Sequence, residues 1–314
     1  MEYFVAVAEE LHFGRAARRL HMSQPPLSTQ IQRLEQEVGV RLLRRTKRSV
    51  ELTAAGEVFL GEARATLRQA ARAGERARAA ARGELGRLDL GVVDAALYGV
   101  APELIRRFTE RCPQVELTVS ERRGDEQLAL IEEGRLHAGI LHPPAHRPEV
   151  AVMELHTEPY VLALPEGHPL AAREGVTLAE ACAQPLIQAP RSVNPEGYDS
   201  VIAACRERGL RPRIAREASP KQTIIALVAA GLGASVVPAA LRRHPYPGVV
   251  YRPIEDAGFV LTTALAWRRR DPEPTVTALA EVARSLRAEW SRAEWSRAEW
   301  SRAERDGGER DRVE

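Results

Sequence analysis

Residues 11–53, LHFGRAARRLHMSQPPLSTQIQRLEQEVGVRLLRRTKRSVELT, decide the fold of the amino-terminal part of this chain. They read as a short helix, a tight turn, a second helix and a basic hairpin. Ala16, Ala17 and Leu20 share one face of the first helix, and His21 and Met22 make the turn. Ser23 stands as an N-cap, with Pro25 and Pro26 inside the first turn, where a missing N–H costs least. Leu27, Ile31, Leu34 and Val38 recur at intervals of four, three and four, a single inward stripe. Away from that stripe lie Gln24, Pro26, Ser28, Thr29, Gln32 and Arg33, short or polar side chains suited to base edges in a major groove. Val38-Gly39 closes the helix. Arg41, Arg44, Arg45, Lys47 and Arg48 then fill a turn between apolar Val40-Leu42-Leu43 and Val50-Leu52, a wing whose charge suits phosphates.

Charge is distributed to match. The 314 residues carry a net charge of only +2, but residues 1–83 hold 15 Lys/Arg against 9 Asp/Glu, and the remainder 30 against 34. The basic end is the helix-turn-helix end, as contact with nucleic acid requires. Only Lys47 and Lys221 are lysines, so 43 of the 45 cations are arginines. That skew, with abundant alanine, fits a GC-rich bacterial genome and points weakly toward a thermophile. No apolar run approaches membrane-spanning length and no signal peptide leads the chain, so a soluble, cytoplasmic protein is expected. Cys112, Cys182 and Cys205 are odd in number, scattered and without a CxxC, and read as buried free thiols.

Downstream, residues 53–83 form one long helix in which Leu60, Ala63, Leu67, Ala70, Gly74, Ala77 and Ala81 alternate at threes and fours. This is a heptad seam, which a lone helix would leave wet, so a second copy of the chain is its economical partner. After the break at Gly83-Glu84-Leu85-Gly86 the pattern changes. Strand 87–93, helix 97–111, strand 115–121, helix 125–133 and strand 138–142 make βαβαβ, hence a parallel sheet with right-handed crossovers. A strand set opens at Tyr160–Leu164, with helices near 177–182, 195–208 and 222–231, strands at 234–238 and 262–267, and a closing helix at 275–288. The segment GLG at 231–233 follows a helix and precedes a strand, the reverse of the order a dinucleotide loop needs. The tail RAEWSRAEWSRAEWSRAER (287–305) repeats every five residues, so Trp290, Trp295 and Trp300 spiral round a helix rather than form a stripe. It reads as a helix overrun that frays into a charged, low-complexity tail.

The segment AARRLHMSQPPLSTQIQRLEQEVGVRLLRRT (16–46), followed by Arg48-x-Val50-x-Leu52-Thr53-x-Ala55-Gly56, resembles the LysR-type bacterial transcriptional regulators. The match is specific over the first 60 residues and traceable to about residue 287. The resemblance implies an α/β protein with a winged helix-turn-helix at 1–52 and a linker, or dimerisation, helix at 53–85. A two-lobed, Rossmann-like effector domain of the periplasmic-binding-protein type follows, with 86–157 and 258–288 forming lobe one and 158–257 lobe two, ahead of a tail at 289–314. It implies a homodimer or homotetramer that binds double-stranded operator DNA, a small-molecule effector and, in an activator, RNA polymerase. The DNA-contacting set becomes Ser23, Gln24, Pro25, Pro26, Ser28, Thr29, Gln32, Arg33, Arg45, Lys47 and Arg48. Two departures stand out: Thr29 replaces the Arg usual after the serine of the recognition helix, and Met1 falls inside the family's first helix.

No catalytic set is present: no GxSxG, no HExxH and no P-loop, so no enzyme activity and no cofactor are expected. His142, His146 and His156 read as loop histidines, because prolines break the spacing that a helical metal pair needs. Ligand chemistry is expected in the cleft between the lobes, at strand carboxyl ends and helix N-termini, where small anions are natural ligands. By resemblance, lobe one contributes Ala95, Ala96 and Gly124, and lobe two Arg191, Ser192, Val193 and Gln222. Relatives that bind muconate-like acids carry hydroxyls at the positions of Ala95 and Gly124, and their absence speaks against that class. The competing expectation is a small-molecule-binding module with only non-specific DNA binding.

Overall fold

The computed structural model describes residues 1–46, 49–143 and 147–290, so Lys47, Arg48, His146 and the tail with Trp295 and Trp300 lie outside the described residues. The chain divides into two compact units, Met1–Ala79 and Ala80 onward. In the first, α1 (Glu2–Glu10), α2 (Phe13–Arg19) and α3 (Gln24–Val38) precede the hairpin β1 (Leu43–Arg45) and β2 (Val50–Leu52), then the long α4 (Ala54–Ala81). Leu11 takes a left-handed backbone and ends α1, and the His12 ring caps α2 by accepting the Gly14 amide at 3.0 Å. Phe4, Val7, Ala16, Leu27, Ile31 and Leu42 form the core of this unit. Each large apolar side chain buried there contributes about 1.5–3 kcal/mol. The α3 stripe fades along its length: Leu27 and Ile31 are fully buried, Leu34 half-buried, and Val38 39% exposed.

The Leu-Thr-x-Ala-Gly stretch has a geometric reason. A Cβ at Gly56 would sit 2.0 Å from the Leu42 carbonyl oxygen, so only glycine lets α4 start this close to the wing. Thr53 caps that start, its Oγ1 accepting the Gly56 amide at 2.9 Å and donating to the Arg41 carbonyl at 2.8 Å. Of the heptad positions, Ala63 packs into the core, Leu67 and Gly74 are half-buried, and Ala70, Ala77 and Ala81 are exposed.

In the second unit, β3 (Leu85–Val92), α5 (Asp94–Leu97), α6 (Val100–Arg111), β4 (Gln114–Glu121), α7 (Gly124–Glu132) and β5 (Ala138–Leu141) come first. Then come β6 (Val150–Pro165), α8 (Leu178–Cys182), β7 (Pro185–Gln188), α9 (Pro195–Glu207), β8 (Arg213–Glu217) and α10 (Lys221–Ala229). Last are β9 (Ser235–Pro238), a 3₁₀ turn (Ala239–Arg243), β10 (Val249–Pro253), β11 (Val260–Arg268) and α11 (Pro274–Trp290). One curled sheet runs β10-β6-β11-β5-β3-β4, with β9 also on β6. β3 is parallel to β4 and β5, while β11 is antiparallel to β5 and β6.

β6 serves both halves of this unit. Its residues Val150–Pro159 pair with β11, and Tyr160–Pro165 lie between β9 and β10. One core gathers Leu90, Leu104, Phe108, Ile131, Ile140 and Leu279, and the others gather Leu162, Val176, Leu186 and Val201, and Val161, Ile187, Ile224 and Val237. The unit is therefore two-lobed, as the resemblance implied. Strand β6 begins ten residues before the expected Tyr160, and β7, β8 and β10 had no counterpart in the sequence pattern. His156 lies in β6 rather than in a loop, edge-on to Trp290 at 4.7 Å, and burial holds its pKa down at about 4. The three cysteines are buried free thiols. Cys182 and Cys205 place their sulfurs 2.7 Å apart, and burial pushes the Cys182 thiol up to about 12. A thiol held protonated in this way is chemically quiet.

Candidate DNA-reading surface and inter-lobe cleft

The exposed side of α3 presents Gln24, Pro25, Pro26, Thr29, Gln32 and Arg33, with Ser28 half-buried. Ser23 is the N-cap residue, yet its side chain makes no cap hydrogen bond. The reason is covalent: a cap bonds the amides of the second and third helical residues, and here those are Pro25 and Pro26, which have none. The serine hydroxyl is thus left to an outside acceptor. Thr29 donates to the Pro25 carbonyl at 3.2 Å and Arg33 pairs with Glu37 at 3.0 Å, so both are held along the helix.

The wing is fixed to α3 by one carboxylate. Glu35 accepts the Leu42 and Leu43 amides at 2.9 and 3.0 Å and the Arg45 guanidinium at 2.8 Å. Arg45 also lies over the Phe13 ring, 5.0 Å from its centroid. Sequence reasoning made Arg45 a phosphate contact; the structure gives it three partners within its own unit, a fastening role. Arg41 and Arg44 are exposed and make no ion pair among the described residues.

In the second unit a cavity of about 110 Å³ lies between the lobes. Ala95, Gly124 and Val193 line it, but Ala96, Arg191, Ser192 and Gln222 do not. Ala96 is instead buried in the lobe-one core. Arg191 is exposed and holds Asp199 through two hydrogen bonds of 2.7 and 2.8 Å. Ser192 and Gln222 face solvent. A Cβ at Gly124 would come no nearer than 3.9 Å to Leu141 Cβ, so the position has room for a small side chain.

Sequence reasoning passed over the group that dominates the cavity. Lys221 is the first residue of α10, is only 9% exposed, and makes no ion pair among the described residues. Its backbone amide donates to Asp94 Oδ2 at 2.9 Å, an inter-lobe bond that caps α10. Burial lowers the ammonium's pKa while the Asp94 charge raises it. Beside it, His142 donates from Nδ1 to the Thr262 carbonyl at 3.1 Å, leaving Nε2 as an acceptor. Burial lowers its pKa, and the Lys221 charge acts in the same direction, so the ring is neutral near pH 7. Helices α7, α9 and α10 all begin at this cavity, and their dipoles favour an anion. α7 has no side-chain cap, whereas Asn194 takes the Gly197 amide of α9 and Asp94 the first amide of α10. On the rim, Arg122 pairs with Glu126 and Arg123 with Asp125, which leaves Lys221 as the cation without a carboxylate of its own.

Comparison with known proteins identifies both domains. Residues 1–57 match the family of bacterial regulatory helix-turn-helix proteins of lysR type, and residues 81–288 the LysR substrate binding domain. The HTH-type transcriptional regulator AlsR of Bacillus subtilis (strain 168) is 41% identical over 276 residues, 88% of this chain and 91% of that protein. The crystal structure of full-length CbnR complexed with target DNA superposes with a TM-score of 0.79 at 32% identity, over 91% of this chain and 98% of that one. The BenM effector binding domain with its effector benzoate superposes with a TM-score of 0.60 at 25% identity, over 66% of this chain and 94% of that one.

Proposed function

The chain belongs to the LysR family of bacterial transcriptional regulators, and from that premise we propose that it answers to a short aliphatic carboxylate held at Lys221. It is a DNA-binding regulator with an effector-binding domain, from a family whose members act on transcription rather than as catalysts. Family members bind operator DNA as oligomers and respond to small molecules, and none of the described helices is long and apolar enough to cross a membrane. In this reading α3 lies in the major groove, Gln24 and Ser28 face bases, and the wing meets phosphates through Arg41 and Arg44. Two or four copies associate in the cytoplasm through the seam of α4, and an activator would engage RNA polymerase.

The observation that carries the effector reading is the buried ammonium of Lys221, which feels the Asp94 charge but makes no ion pair among the described residues, at the mouths of three helices. In a chain with 43 arginines and two lysines, this cation is a lysine. An ammonium is a compact point charge with three rotatable donors on a flexible stem, which suits a small oxygen ligand, whereas a guanidinium is a planar fork that needs more room. Size narrows the class: a cavity of about 150 Å³ holds benzene, and this one is about 110 Å³. Benzoate, the effector named for BenM, would overfill the enclosed part of this cavity, and a short acid fits it better. A carboxylate between Lys221 and the α7 and α9 amides would touch both lobes and compete with Asp94 for the α10 terminus. Regulation follows only if it prefers one lobe arrangement over another.

The test is thermal shift with propanoate and benzoate on wild type and Lys221→Met. Propanoate should stabilise wild type and not the variant, with affinity lowered by about 2–5 kcal/mol, and benzoate should stabilise neither. Without ligand, Lys221→Met should be at least as stable as wild type, because a buried unpaired charge has been removed. Equal stabilisation of both proteins by propanoate would place the site elsewhere. Assembly has its own check: Leu67→Glu or Gly74→Glu puts a charge into the seam, and sedimentation should then report smaller species. Unchanged size in both variants would remove α4 as the interface.

A further inference from the structure

Beside the inter-lobe cavity lies a second, smaller chamber of about 20 Å³, termed inner because it borders the Tyr160 side of the wall. The two share Ala95, Ala189, Asn194 and Lys221 as common wall, so whatever lies against Lys221 in one is adjacent to the other. Tyr160, Gln188, Asn194 and Tyr198 are polar residues of the inner wall, and Val236, Pro238 and Leu261 give it an apolar side. Tyr160 is 4% exposed, and its hydroxyl has no hydrogen-bond partner among the described residues. Buried hydroxyls are almost always paired, because leaving a donor unmet costs folding free energy. Phe259 packs on the Tyr160 ring at 4.9 Å, which holds it in place. Burial raises the phenol's pKa, so it remains a proton donor at any physiological pH.

We propose that the inner chamber is a selectivity subsite, and that the effector is a short carboxylic acid with an oxygen on its second carbon, a 2-hydroxy or 2-oxo acid. This rests on the carboxylate reading above and sharpens it. The volume admits about one water-sized group, which matches a single hydroxyl or carbonyl oxygen and excludes a branch of carbon atoms. The shared Lys221 wall places the chamber next to a carboxylate held by the ammonium, so an oxygen on the adjacent carbon is the substituent that starts nearest to it. Tyr160 then donates to that oxygen. Lobe one, through Ala95 and Gly124, adds no competing side-chain hydroxyl. Lobe two thus reads both oxygen functions, and the apolar end of the acid lies against lobe one.

Calorimetric titration of the full chain with propanoate, lactate and pyruvate decides the matter. Wild type should bind lactate or pyruvate about tenfold more tightly than propanoate, the worth of one good hydrogen bond. Tyr160→Phe should bring that ratio to about one while leaving propanoate affinity within twofold. Equal wild-type affinities for all three acids would mean that the chamber holds an ordered water only, and the subsite is overturned without any variant having to fold. A preference that survives in Tyr160→Phe overturns the role of its hydroxyl. Absence of binding by all three acids overturns the carboxylate reading itself, a result distinct from loss of the preference alone.

Discussion

Glu35 and Glu158 are both glutamates drawn in from solvent, one in each unit, and they are treated in opposite ways. Glu35 receives three donors: two backbone amides of the wing and the Arg45 guanidinium. Glu158, 3% exposed on β6 where that strand leaves lobe one, receives one, the Ala240 amide at 2.6 Å. The same contrast holds for the units around them. In the DNA-reading head the half-buried carboxylates are paired: Arg19 and Arg64 hold Glu9, and Arg15 holds Glu10. The effector unit leaves Lys221, the Tyr160 hydroxyl and the Gln127 Oε1 short of partners at or near its middle. A docking surface has to be rigid before its ligand arrives. A ligand-responsive cleft has to keep polar groups whose satisfaction depends on what is bound.

The largest effect expected from this contrast is on pH dependence. Burial pushes the Glu158 carboxyl up to about 7, against the partial relief of the Ala240 amide and the Arg243 charge, and its charge in turn helps raise the Tyr160 phenol. The folded state therefore holds the proton to higher pH than the unfolded chain does. The resulting stability is fully present below about pH 4.5 and is lost as pH rises through about 7. The difference amounts to about 3 kcal/mol between those limits. Glu158→Gln should flatten that decline, which melting curves from pH 5 to 8 would show. A slope identical to wild type would mean that Glu158 is ionised throughout and that the two glutamates are alike after all.

Next in size is the fastening of the wing. Arg45→Ala removes the Glu35 partner and the Phe13 contact, and should lower the stability of the head by about 1.5–3 kcal/mol. DNA affinity should fall for all sequences alike, because the wing is displaced as a whole. Melting and binding measured on the same preparation separate this from a phosphate contact, which would weaken binding and leave stability untouched. If Arg45→Ala melts like wild type, the head is less tightly knit than its ion pairs indicate.

These two units also differ in how much the sequence disclosed, for a physical reason. The head is built from contacts close in the chain, so caps, stripe and basic turn are all visible as spacing. The cleft is built from five separated loops, and its decisive residue was missed by one position. Ser219-Pro220 signals a helix start, but one residue turns a helix by about 100°, so Gln222 faces solvent while Lys221 faces the cavity. Arg191 looked available because nothing in a linear reading shows that Asp199, a turn into α9, binds it on both oxygens. The first half of β6 escaped notice because its pairing with β11 is irregular. Register passes from His156 opposite Thr263 to Glu154 opposite Ala264, and the bulge at Leu155 breaks the alternation that identifies a half-buried strand. Buried Glu158 disguised the rest.

The smallest effect tests the division of labour within the head. Gln24 is exposed at the first turn of α3, and Arg44 is exposed in the wing without an ion pair among the described residues. A base contact and a phosphate contact differ in what they lose. Gln24→Ala should leave non-specific affinity unchanged and cost about 1–3 kcal/mol of discrimination at one base pair. Arg44→Ala should weaken specific and non-specific binding equally, and reduce the slope of log affinity against log salt by about 0.9. Neither should alter melting, since neither side chain packs into the core, and here the head departs from the effector unit, where function and stability reside in the same buried groups. Anisotropy titrations with operator and scrambled duplexes at several salt concentrations measure both quantities together. Were Gln24→Ala to change the salt slope and Arg44→Ala the base preference, α3 and the wing would have exchanged roles, and the docking of this head on DNA would have to be turned around.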